Sequence, residues 1–113
     1  MNTAAIYKGE NGGCCWQIDE NWNLRVYPFN GESGVLLDFD EDNDGWSQYA
    51  EGIKSVTIEK GVKSRKSLFG MFSGFINCES IDLSGFDTQN AKDMSHMFNG
   101  CSSLKSLNLV VNI

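Results

Sequence analysis

An acidic stretch carries the clearest chemical pattern in this chain. Residues 40–51 read Asp-Glu-Asp-Asn-Asp-Gly-Trp-Ser-Gln-Tyr-Ala-Glu. They satisfy the calcium-loop pattern D-x-[DN]-x-[DN]-G-x5-E. Asp40, Asp42 and Asp44 would supply hard oxygen ligands, Gly45 the sharp turn, and Glu51 the closing carboxylate at the last position. The flanks speak against it. The segment from Gly31 to Phe39 reads as turn and strand where a calcium loop follows a helix, and Ser47 stands where an apolar residue pairs with a partner loop. A plain solvated acidic loop is the competing reading, and the context favours it. No other cofactor is expected.

Aromatic residues offer a second kind of chemistry. Trp22, Tyr27, Trp46 and Tyr49 can form a platform on which the CH-rich faces of sugars stack, or to which a protein ligand binds. The competing and favoured reading is that Trp16, Trp46 and Tyr49 pack the N-terminal part of the chain onto the part beginning at Ile53. Catalysis finds little footing. His96 is the single histidine, expected on an outward surface, and no nucleophile motif such as GxSxG accompanies it. Asp19, Glu20, Asp38 and Asp40 lie in turns or strand ends, where carboxylates are ordinarily solvated, and nothing fixes a glycosidase-like separation between them. Cys14, Cys15, Cys78 and Cys101 contain no CxxC pair, so a zinc site is not expected. Cys78 and Cys101 fall on apolar positions and read as small buried hydrophobes. A disulfide between them stays open, because sequence cannot set its geometry. The chain is expected not to be an enzyme.

Charge narrows the partners. The 113 residues carry a net charge of −6 and a pI near 4.6. That disfavours nucleic acid, whose phosphates require a Lys/Arg patch, and anionic membrane surfaces. No apolar run reaches the roughly 20 residues of a membrane helix, so no membrane insertion is expected. Residues 1–5 show neither the basic nor the apolar part of a signal peptide. Hydrophobic content of 41% and charged content of 21% are those of one folded domain.

The elements that must position these residues follow from periodicity. Residues 1–12 are few in apolar side chains and read as a loose lead-in. Trp16 and Ile18 alternate with Gln17 and Asp19; after a polar turn, Trp22, Leu24 and Val26 resume the alternation. This predicts a β-hairpin with one buried face. Val35, Leu37 and Phe39 alternate again and predict a short third strand.

From Ile53 onward the chain repeats itself. Met71-Phe72-Ser73-Gly74 returns as Met97-Phe98-Asn99-Gly100, and Cys78-x-x-Ile81-Asp82-Leu83 returns as Leu104-x-x-Leu107-Asn108-Leu109. Ile53-x-x-Val56-Thr57-Ile58 is a weaker upstream copy. A fixed period with an LxxLxL core predicts a stacked leucine-rich array in which neighbouring units share one core. Met94, Met97, Phe98 and Cys101 recur at helical spacing, as do Leu68, Met71, Phe72 and Phe75, with Asn90 and Ser64 as N-caps and Gly100 and Gly74 as stops. The expected fold class is therefore α/β: a leucine-rich-repeat solenoid of short parallel strands alternating with short helices, with an N-terminal β-hairpin cap. Residues 1–52 form the capping region with the acidic loop. Residues 53–113 form about two and a half repeats, the last ending after its strand. That end reads either as a piece of a longer array or as an edge for self-association.

The segment from Ile81-Asp82-Leu83-Ser84-Gly85-Phe86-Asp87-Thr88 through Met94-Ser95-His96-Met97-Phe98-Asn99-Gly100-Cys101-Ser102-Ser103-Leu104 resembles the repeat LDLSxFDTSxVxxMxxMFxGCxSL of BspA-like leucine-rich-repeat surface proteins. Trp16-Gln17-Ile18-Asp19, the Trp46 to Tyr49 patch and Ile53-Lys54-Ser55-Val56-Thr57-Ile58 resemble the opening of such arrays. The resemblance implies a non-enzymatic bacterial adhesion module, secreted or at the cell surface, with host or cell-surface proteins or glycans as partners. The alternative is a structural module that self-assembles through its open C-terminal repeat.

Overall fold

The computed structural model describes residues 4–39 and 45–109. Among the described residues eight strands form: β1 (Ala5–Asn11), β2 (Cys14–Asp19), β3 (Asn23–Pro28), β4 (Gly34–Val35), β5 (Ser55–Ile58), β6 (Val62–Lys63), β7 (Ser80–Leu83) and β8 (Ser106–Leu109). Six of them make one sheet in the order β1-β2-β3-β5-β7-β8, while β4 and β6 pair separately. β1, β2 and β3 run antiparallel as a meander. From β3 onward every pairing is parallel. The sheet crosses the 52/53 boundary without a break, through β3 and β5.

Alternation explains the strands. Trp16, Ile18, Leu24, Val26, Val56, Ile58, Ile81 and Leu83 point to one face and are buried, each contributing about 1.5–3 kcal/mol of transfer free energy. Gln17, Arg25, Thr57 and Asp82, one residue out of phase, lie in register on the other face. The echo in the sequence becomes a register: Ser55 pairs with Ser80 and Ser80 with Ser106.

The expected α/β solenoid with helices does not form. The molecule is a small, mostly β domain with 4% helical and 40% strand residues. Its one helical element among the described residues is a 3-10 turn at Trp46–Tyr49. Residues 69–74 and 95–100 are successive turns instead. Two physical reasons are visible. Gly70, Gly74, His96 and Gly100 adopt φ of 64°, 82°, 57° and 80°, and a right-handed helix cannot run through such residues. The amides are also committed elsewhere. Leu68, Gly70, Phe72 and Gly74 donate to the carbonyls of Asp93, Ser95, Met97 and Asn99 at 2.7–3.1 Å. A helix would have turned those same N–H groups back onto the preceding turn. The apolar spacing still works: Leu68, Met71, Phe72, Phe75 and Met97 are buried, although Met94 is 39% exposed.

Two local expectations also change. The lead-in is a strand: β1 pairs with β2 along Tyr7↔Ile18 to Asn11↔Cys14, so the hairpin is part of a three-stranded meander. The third strand expected over Val35, Leu37 and Phe39 shrinks to Gly34–Val35, and its facing changes. Leu36 and Phe39 are buried, while Val35 and Leu37 are exposed. Pairing with β6 stops after Val35, and Leu36 and Phe39 then donate separately to Lys63 and Ser67, so strict alternation is lost. Gly61 makes the approach of these layers possible. Its φ is 100°, and a Cβ there would stand 2.2 Å from the Glu32 carbonyl.

Candidate functional site

The four aromatics singled out in the sequence go to three different places. Trp46 opens the 3-10 turn and is 2% exposed. Its indole N–H donates to the Met71 carbonyl at 3.2 Å, and its ring meets Trp16 edge-on and Phe39 at an angle. It offers no face to a ligand. Tyr27 lies on the outer face of the sheet, where the Arg25 guanidinium sits 4.2 Å from its ring centroid. Arg25 is in turn paired with Glu59.

Trp22 and Tyr49 come together, and a residue absent from the sequence-based set joins them. Tyr7, from β1, stacks on Tyr49 with ring centroids 4.0 Å apart and 19° between planes. It also lies 5.8 Å from Trp22. Tyr49 further touches Trp16 at 6.3 Å, so one side of it is core. Beside these rings is an open depression of about 400 Å³ lined by Trp22, Ser47, Gln48, Tyr49 and Glu51. Tyr7 was missed because Ile6 and Tyr7 are the only large apolar residues of β1 and set up no alternation; its place against Tyr49 depends on β1 pairing with β2.

Trp22 is held in an unusual backbone. Its φ is 62°, a region costly for any residue with a Cβ. Asp19 enforces it. The Asp19 carbonyl accepts the Trp22 amide at 2.9 Å, and its Oδ1 accepts the amides of Asn21 and Asn23. The same tight turn lays the indole on Gly52, where a Cβ would meet Trp22 ring carbons at 2.5 Å. Asp19 is therefore a turn-forming group. Asp38 is similar, with its Oδ1 accepting the Ser67 amide.

Of the calcium-loop residues, Asp40, Asp42 and Asp44 lie outside the described residues. Glu51 is exposed, and its carbonyl accepts Asn77 Nδ2 at 2.7 Å. Among the described residues no three His, Cys, Asp or Glu side chains gather as a metal site. His96 is exposed and packs edge-on against Phe69 at 5.1 Å. The cysteines are free thiols. Burial pushes Cys14 and Cys78 up to about 11, and it raises Cys101 as well. The Cys78 and Cys101 thiols donate to the carbonyls of Ser80 and Phe72.

A second feature escaped sequence reasoning. Lys60, Lys63, Arg65 and Lys66 form a basic run, and no acidic residue occurs from 61 to 78. Net charge hid it, because −6 averages over the chain. Arg65 and Lys66 meet Lys92 at an open groove of about 450 Å³ beside β4 and β6.

No protein-family model, no curated protein and no solved structure matches this chain.

Proposed function

We propose that this chain is a non-enzymatic binding module that recognises protein or glycan ligands and acts in adhesion at a bacterial cell surface. The observation that carries the reading is the pair Trp22 and Tyr49, which line the depression with Ser47, Gln48 and Glu51 and are joined by Tyr7 stacked on Tyr49. Rings supply apolar contact area at little entropic cost, and a few polar tips fix orientation, which is the composition of small-ligand and sugar sites. The strained Trp22 backbone fits this use, since strain of that kind gathers at functional sites. The repeat's resemblance to surface-protein arrays points the same way.

The test is a screen of neutral glycans and matrix proteins against the folded chain, followed by tryptophan emission. The expected result is a ligand whose affinity falls at least about tenfold, or about 1.4 kcal/mol, in Trp22→Ala and in Tyr7→Ala, with the fold retained by circular dichroism. A screen without binders, or a binder indifferent to both substitutions, removes this assignment.

One observation favours a second reading, self-association. Among the described residues β8 is an edge strand, and Leu107 and Leu109 are 40% and 42% exposed on it. Unpaired edges with apolar side chains invite strand addition. Light scattering separates the two: a dimer abolished by Leu107→Lys supports assembly, and a monomer supports the ligand-binding module.

A further inference from the structure

We infer that the groove between β6 and the 87–93 segment is a binding site for a single tetrahedral oxyanion, a sulfate or phosphate ester group carried by a small ligand. The groove is lined by Ser64, Arg65, Lys66, Gln89, Asn90 and Lys92. Three of these are cations and two are amides able to donate, so the wall is rich in donors suited to a dispersed negative charge. Arg65, Lys66 and Lys92 form no ion pair among the described residues, where the pairs are Arg25–Glu59 and Lys105–Glu79. Three neighbouring carboxylates do not line the groove, and each is engaged by a nearby amide: Asp38 by Ser67, Asp87 by Gln89, and Asp93 by Ser95.

Ser64 lines the groove but keeps its hydroxyl inside. It is 1% exposed, and among the described residues its hydroxyl is the one buried side-chain polar atom without a hydrogen-bond partner. Its amide is satisfied by the Asp87 carbonyl at 2.9 Å, so the residue is anchored while its hydroxyl is left over. The hydroxyl is buried in phase with Val62, while Lys63 and Arg65 are exposed, so the cations and amides of the wall are the groups offered to a ligand.

The overall charge selects the size of the ligand. A chain at −6 repels an extended polyanion, while three cations around one groove act at short range within a Debye length. One mono- or dianionic group matches that field; a nucleic-acid backbone does not. The groove stands apart from the Tyr7–Trp22–Tyr49 cluster and does not depend on its assignment.

The experiment is an amide NMR titration of the full chain at constant ionic strength. The probes are inorganic sulfate, inorganic phosphate, glucose 6-sulfate, glucose 6-phosphate and neutral glucose. The expected result is saturable shifts at residues 64–66 and 89–92 with sulfate or phosphate, and none at those residues with neutral glucose. The two esters decide which group the site prefers. Arg65→Ala/Lys66→Ala weakens binding about tenfold or more. Trp22→Ala leaves it unchanged. Lys92→Ala serves as a second variant if the double substitution perturbs the fold. Shifts that never saturate, that spread over the whole surface, or that persist unchanged in these variants overturn the site.

Discussion

Replacing Trp46 with phenylalanine separates a core role from a ligand-binding one. The indole N–H donates to the Met71 carbonyl at 3.2 Å within the core, and the ring is in contact with Trp16 and Phe39. Trp46→Phe removes the donor and leaves that carbonyl without its partner, a loss of about 1–3 kcal/mol. The smaller ring also leaves a void, adding about 1 kcal/mol. The total of about 2–4 kcal/mol is a large share of the roughly 5–15 kcal/mol typical of a domain. For a chain of this size it lowers the melting temperature by about 10–25 °C. The assay is urea unfolding followed by far-ultraviolet circular dichroism, with the denaturant slope compared between the two proteins. If the midpoint hardly moves at constant slope, Trp46 does not hold the 3-10 turn to the core, and the division of the aromatics into core and rim fails. Binding of any ligand found at the Tyr7–Trp22–Tyr49 rim should persist under conditions where the variant is folded.

Four further outcomes rest on particular residues. Gly61→Ala should destabilise by about 2 kcal/mol or more in the same urea assay, because it forces a Cβ against the Glu32 carbonyl at positive φ. His96→Gly should stabilise by up to about 1 kcal/mol, since it relieves a left-handed residue at the position where the preceding repeat uses Gly70; a loss of stability would mean that the contact of His96 with Phe69 outweighs the strain. Hydrogen bonds from Ser95 hold the Asp93 carboxyl below its ordinary value. A depressed folded value means that this stabilisation is present above the unfolded value, near 4, and is lost as pH falls through the folded one. Ser95→Ala should therefore move Asp93 upward in a carbon-detected NMR titration. Finally, burial raises the Cys14 and Cys78 thiols to about 11, so at pH 8 both should resist a thiol reagent in the native protein and react once urea is added; rapid labelling of either in the native state would contradict their burial.

Local pattern went far in some regions. The period-2 alternation at Trp16–Ile18, Leu24–Val26, Val56–Ile58 and Ile81–Leu83 marks the buried face of the sheet, because a strand has only two faces and one must leave water. The echo between Ile81–Leu83 and Leu107–Leu109 reappears as a parallel register. The candidate site was less legible. Trp22 and Tyr49 were visible as aromatics, but their grouping with Tyr7, and the removal of Trp46 to the core, arise from how β1 and the 3-10 turn meet. Lys92 reaches Arg65 and Lys66 only through the stacking of one repeat on the next.

The sequence by itself determined the interval at which the chain returns to the same place and many of the side chains that leave water, though not Val35, Leu37, Met94, Leu107 or Leu109, which stay exposed. Only the tertiary structure decided how the chain travels between those points. Leu68, Met71, Phe72 and Phe75 have helical spacing, yet consecutive turns bury the same four residues. The choice rested on where the amides of Leu68, Gly70, Phe72 and Gly74 find acceptors. Those acceptors lie in the neighbouring repeat, about 25 residues along the chain, beyond the reach of any local pattern.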